Sequence, residues 1–121
     1  MATRLNVSPV INVSKKSIEV TWPGLLNGDV GDAFDLQAYF IASVEWEGTP
    51  GAGFQGQTQI SNKPASVGAP SQWTNVSVLQ ATSATELLPG NTIPYAMQVR
   101  PSVTAGDGTT NMTCRITLMF Y

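Results

Sequence analysis

Residues 112–121 read Met112-Thr113-Cys114-Arg115-Ile116-Thr117-Leu118-Met119-Phe120-Tyr121. Met112, Cys114, Ile116, Leu118 and Phe120 fall on one side of an extended chain. Thr113, Arg115, Thr117, Met119 and Tyr121 fall on the other. Side chains of a strand alternate with a period of two, so this stretch predicts a strand with one buried face. A partner strand is expected over residues 94–103, where Tyr95, Met97 and Val99 alternate with Ala96, Gln98 and Arg100. Between the two lies Thr104-Ala105-Gly106-Asp107-Gly108-Thr109-Thr110, and glycine on both sides of Asp107 admits positive φ, which predicts a hairpin loop.

The same alternation recurs upstream. Over residues 17–22, Ile18, Val20 and Trp22 share a face against Glu19 and Thr21, and Pro23-Gly24 is expected to break the strand. Residues 34–47 read as one strand, with Phe40, Ala42, Val44 and Trp46 inward and Ser43, Glu45 and Glu47 outward. Residues 48–53 read as a turn, 54–61 as a polar strand, 62–70 as a loop, and 72–79 as a strand beginning near Trp73. Residues 81–88 are compatible with a strand or with one helical turn. Residues 1–16 read as an N-terminal arm or an edge strand. Seven to eight short antiparallel strands punctuated by Gly and Pro predict an all-β fold: one β-sandwich domain over 17–121, of jelly-roll or Greek-key type.

Composition limits the chemistry. The chain has no His and one Cys, the two side chains on which acid–base work at neutral pH, nucleophile activation and transition-metal binding mostly rest. Charged residues are 12% of the chain, about half the usual share, so the surface must be covered by Thr, Ser, Asn and Gln. A net charge of −2 offers no basic field to attract nucleic acid. No apolar run approaches the length of a membrane-spanning helix, and Met-Ala-Thr-Arg has no apolar run behind it, which predicts no signal peptide. The composition points to binding or assembly: no enzyme, no cofactor, no nucleic acid and no membrane.

The residues that invite a chemical reading each have a plainer one. Asp29, Asp32 and Asp35 lie in a Gly-rich segment and suggest Ca²⁺, yet alternate-position ligands and a closing Glu are absent, and Asp in such turns caps its own backbone. Glu45 and Glu47, two apart on one strand, are spaced like a glycosidase pair but sit on a face expected to be solvated. Trp22 and Trp46 are in phase with the apolar faces of their strands and predict core; Trp73 is open between core and a sugar-binding platform. Cys114 is inward and reads as a small buried hydrophobe. Arg100 precedes Pro101 at a strand end or sheet edge, where its guanidinium is placed to clamp a carboxylate of the Asp-rich loop or of a partner.

Three loop segments in order resemble a known family: Gly24-Leu25-Leu26-Asn27-Gly28-Asp29-Val30-Gly31, then Ser43-Val44-Glu45-Trp46-Glu47-Gly48-Thr49 leading to Gly51-Ala52-Gly53, then Arg100-Pro101-Ser102-Val103-Thr104-Ala105-Gly106-Asp107-Gly108-Thr109-Thr110. Together they are similar to the small capsid decoration, or cement, proteins of tailed bacteriophages. The resemblance spans residues 18–121 and departs from the family pattern at the longer Pro-containing loop 63–72, between Ile60-Ser61-Asn62 and Trp73. It implies a β-sandwich on the outer surface of the virion capsid, with the major capsid protein as partner, a dimer or trimer of the chain itself, and no catalytic residues.

The remaining signal is the N-terminal segment. Leu5, Val7, Val10 and Ile11 are spread among Asn, Ser and Pro9, and Lys15-Lys16 holds two of the six basic residues. Such a stretch suits addition to a neighbour's exposed sheet edge. Leu5, Val7, Val10, Ile11, Lys15, Lys16 and Arg100 are therefore the expected interface residues, and residues 1–16 are expected to matter to assembly more than to folding.

Overall fold

Nine strands account for most of the computed structural model, which describes residues 7–13, 17–36, 39–64, 66–70, 72–76, 79–89 and 96–120. They are β1 (Val10–Val13), β2 (Ser17–Leu26), β3 (Phe34–Asp35), β4 (Tyr39–Thr49), β5 (Gln55–Ser61), β6 (Thr74–Asn75), β7 (Thr85–Pro89), β8 (Gln98–Ala105) and β9 (Asn111–Phe120). The count exceeds the expected seven to eight because residues 34–47 divide into β3 and β4. The undecided segment 81–88 supplies strand β7. The Glu86 carboxylate organises the approach to it, accepting the N–H groups of Thr82 at 2.9 Å and Ser83 at 3.0 Å.

Pairing follows one rule. β2 pairs β9, β3 pairs β8, β4 pairs β7 and β5 pairs β6, all antiparallel. The chain thus runs out and back as a single two-stranded ribbon. That ribbon wraps onto itself, because β4 also pairs β9 and β5 also pairs β8. The result is two antiparallel sheets, ordered β1-β2-β9-β4-β7 and β3-β8-β5-β6. This is a jelly-roll sandwich, with β1 added outside β2.

The expected hairpin between the last two strands does not form. β8 lies in the four-stranded sheet and β9 at the centre of the five-stranded one, so the loop after β8 crosses between sheets. Alternation reveals that each strand has an apolar face. Two such faces are satisfied equally well side by side or opposed across a core, and here they are opposed. Asp107 ties the crossing loop to the β4–β5 turn. Its carboxylate accepts the N–H of Ala52 at 2.8 Å, the N–H of Thr109 at 2.8 Å and the Thr109 hydroxyl at 2.6 Å.

These hydrogen bonds, that of Ala52 foremost, hold the Asp107 carboxyl down to about 2. A depressed carboxyl contributes stability that is present above its unfolded pKa near 4 and lost as pH falls through the folded value. Asp107→Asn is accordingly expected to lower the melting temperature at pH 7 and to flatten its fall between about pH 4 and about pH 2. Parallel melting curves for parent and variant across that window would contradict the assignment.

The core is where the two apolar faces meet. From the large sheet come Ile18, Val20, Trp22 and Leu25 of β2, Ile41, Val44 and Trp46 of β4, and Met112, Cys114, Ile116 and Leu118 of β9. Val99 and Val103 of β8 face them, with Leu36, Phe54 and Leu79 from the connections. Pro23-Gly24 bulges β2 instead of ending it. Gly24 takes φ 66°, and the register slips between Trp22 and Leu25, so both side chains turn inward. A second slip in β4, between Ile41 and Ser43, reverses the expected phase upstream. Ile41 is buried, and Phe40 and Ala42 are only half-buried. Trp46 meets Phe54 edge-on at 5.7 Å, and Gly56 leaves room for both, since a Cβ there would lie 2.8 Å from Phe54 and 2.9 Å from Trp46. Burial pushes the Cys114 thiol well above its ordinary value, as suits a small buried hydrophobe.

Among the described residues, three buried side-chain atoms have no hydrogen-bond partner: Trp46 Nε1, Gln57 Oε1 and Thr58 Oγ1. Thr58 is fully buried on the inner face of β5, and its hydroxyl meets no hydrogen-bonding group among the described residues. An orphaned buried hydroxyl costs about 1–3 kcal/mol of desolvation. Thr58→Val keeps the shape and removes that cost, so it is expected to raise the melting temperature by roughly 3–5 °C, the equivalent of about 1 kcal/mol for this size. A lowered melting temperature would mean that the hydroxyl has a partner.

Candidate interface

The four residues of β1, Val10-Ile11-Asn12-Val13, include three β-branched aliphatics, a composition that favours extended chain. They pair antiparallel with β2, from Val10 opposite Thr21 to Val13 opposite Ile18. Of arm and edge strand, residues 10–13 occupy the edge position. Just before them, Val7 is fixed to the 28–32 turn. Its N–H donates to the Val30 carbonyl at 3.2 Å, and its own carbonyl accepts the Asp32 N–H at 2.9 Å.

All four β1 residues are nevertheless exposed. Ile11 lies opposite Val20 and Val13 opposite Ile18, so both share the side of the sheet that forms the core. They stand beyond its rim, Ile11 49% and Val13 71% exposed, while Val10 on the other face is 54% exposed. The outer side of β1 pairs with no strand among the described residues. Sheet edges are usually guarded by brevity, charge or proline. β3 and β6 have two residues each, and β7 carries Glu86 and Pro89. β1 is short, at four residues, but it is longer than β3 and β6 and holds no charged residue or proline. It is an unguarded aliphatic edge.

The seven expected interface residues do not form one patch. Val10 and Ile11 share the β1 edge with Val13, whereas Val7 precedes β1, is held by the 30–32 turn and packs against the core. Leu5, Lys15 and Lys16 lie outside the described residues. Arg100 sits on β8, in the other sheet, with its side chain on that sheet's outer face opposite Gln59 of β5. It reaches no residue of the Asp-rich loop. Its Nε donates to Gln59 Oε1 at 2.8 Å, and its guanidinium lies 4.3 Å from the ring centre of Trp73. Partial burial lowers its pKa.

Asp29 and Asp32 of the Asp-rich segment hold the nearby chain. Asp29 is buried and its carboxylate accepts the Leu26 N–H at 2.7 Å. The Asp32 carbonyl accepts the indole N–H of Trp22 at 3.0 Å. Among the described residues, no three acidic, His or Cys side chains converge as metal ligands would.

A network on the outer face of the large sheet was not foreseen. Arg115 of β9 forms ion pairs with Glu45 of β4, with Glu19 of β2 at 3.3 Å and with Glu47 at 3.4 Å. Burial works to lower the Arg115 pKa, but the hydrogen bond and charge of Glu45, with the charges of Glu19 and Glu47, raise it overall. Each of these residues is outward in its own strand's alternation. What brings them together is the order β2-β9-β4, which local alternation does not encode.

Comparison with protein-family models, with curated proteins and with solved structures gave no match.

Proposed function

We propose that this chain is a structural virion protein, a capsid cement or decoration protein that binds the outer surface of a tailed-bacteriophage shell and bridges capsid subunits. The observation that carries this reading is the unguarded edge: the sandwich presents Val10, Ile11 and Val13 to solvent on a strand whose outer hydrogen-bonding side pairs with no strand among the described residues. Strand addition at such an edge supplies backbone hydrogen bonds and apolar burial together. Each bound copy then stabilises the assembled shell by mass action. The sequence resemblance, the low charge and the polar Thr-, Asn- and Gln-rich surface agree with a protein that spends its life against a fixed neighbour. The major capsid protein is the partner, and a dimer or trimer of the chain matches two-fold or three-fold positions of an icosahedral lattice.

Quantitative mass spectrometry of purified particles tests the reading. On the order of hundreds of copies per particle is the expected result for an icosahedral shell component. A count of about three to twelve would make it a tail or fibre part instead, and absence from the particle would refute a virion role.

A further inference from the structure

The outer face of the four-stranded sheet holds a cation that the fold has oriented but not neutralised. Arg100 and Gln59 are register partners on β8 and β5, and Gln59 pairs in turn with Asn75 of β6. Arg100 Nε donates to Gln59 Oε1 at 2.8 Å, and Gln59 Nε2 donates to Asn75 Oδ1 at 2.9 Å. Trp73 lies against the guanidinium, 4.3 Å from its central carbon. The hydrogen bond at Nε and the position over the indole ring together restrain the group. Among the described residues, its two terminal nitrogens meet no acceptor and no carboxylate pairs with it. Arg115 in the other sheet is the contrast, with three carboxylates around it.

A guanidinium fixed at Nε and on one face offers one free edge, the pair of terminal N–H groups. That edge matches the two oxygens of a carboxylate in a bidentate hydrogen-bonded pair. Because the rotamer is already restrained by Gln59 and Trp73, little further side-chain freedom is lost on binding. We propose that Arg100, held by Gln59, Asn75 and Trp73, is a carboxylate-binding site, and that it takes an Asp or Glu side chain of a protein docked on this face. The guanidinium covers one face of the indole, and its charge favours a carboxylate over a neutral sugar. The inference rests on the assembly reading only for the source of the carboxylate; the site itself is tested on the isolated chain.

The probe is N-acetyl-glutamate N-methylamide, titrated into ¹⁵N-labelled protein at constant ionic strength while the Arg100 Nε–H and Trp73 indole N–H resonances are followed. The expected result is a saturable shift of both signals with Kd on the order of millimolar, as suits one exposed bidentate pair. N-acetyl-glutamine N-methylamide, which lacks the charge, is expected to produce none. Arg100→Lys retains the positive charge but not the fork, and is expected to weaken binding about tenfold. A linear, unsaturable response, an equal response to the glutamine compound, or full affinity in Arg100→Lys would overturn the site. Glucuronate binding tenfold more tightly than the glutamate compound would overturn the protein source in favour of an acidic sugar.

Discussion

Ile116→Ala is expected to cost about 2–5 kcal/mol of stability, and Leu118→Ala the same, as fully buried large-to-small changes do. Thr117→Ala, between them, is expected to cost under about 1 kcal/mol. The contrast follows from the position of β9, flanked by β2 and β4 at the centre of the five-stranded sheet. Ile116 lies between Val20 and Val44, and Leu118 between Ile18 and Ile41. Both are fully buried, so truncation leaves a cavity walled by two neighbouring strands and the opposing sheet. Thr117 points the other way, between Glu19 and Ser43 on the half-buried outer face. The check is the midpoint of denaturant unfolding at constant slope, which separates lost stability from a changed denatured state. Equal costs at 116 and 117 would mean that the outer face of this sheet is covered as fully as the inner one.

The second large effect is on assembly. Ile11→Asp combined with Val13→Asp is expected to leave the melting temperature within a few degrees of the parent, because both side chains are already in solvent and surface changes cost little. The same pair is expected to weaken attachment to the shell by more than about a hundredfold. Burying a fully exposed aliphatic side chain contributes roughly 1.5–3 kcal/mol; with Ile11 49% and Val13 71% exposed, the pair contributes about 2–3.5 kcal/mol, around the 2.8 kcal/mol or so that a factor of a hundred represents. Carboxylates in the same places add the cost of burying charge without a partner. Co-sedimentation of the variant with shells lacking the chain gives the comparison. Undiminished attachment would remove the β1 edge from the interface, whereas an unfolded variant would show that Ile11 and Val13 hold the sandwich itself together.

The legible part of the fold was the part written in side-chain alternation. β9 and the first half of β2 are strictly periodic, and every inward residue so read, from Ile18 to Leu118, is buried where the structure describes it. Alternation stops being informative where the backbone changes phase. The bulge at Pro23-Gly24 looks like a strand end because its two residues are strong breakers, yet a bulge uses them to keep Trp22 and Leu25 on the same side. The slip after Ile41 has no comparable signal, so Phe40 and Ala42 read as inward. Strand partners are harder still. The chain gives no local sign that residues 98–105 and 111–120 belong to different sheets, because that choice is made by the wrapping of the whole ribbon.

The same limit governs the interface. Val7, Val10 and Ile11 could be singled out because aliphatic residues scattered in a polar N-terminal stretch lack a core of their own. Arg100 could be singled out because Pro101 after it marks a strand end or sheet edge, where a guanidinium is placed to clamp a carboxylate. Their placement on different sheets, the stacking of Arg100 on Trp73 and the convergence of Glu19, Glu45 and Glu47 on Arg115 all depend on strand order. The residues were visible in the sequence; their company was not.

Cryo-electron microscopy of the particle tests the central claim most directly. The account predicts sandwich-shaped density for this chain on the outer surface of the capsid, with the β1 edge at Val10–Val13 paired against or packed upon a neighbouring subunit. Density confined to the tail, or a shell-bound chain whose β1 edge faces only solvent, would contradict it.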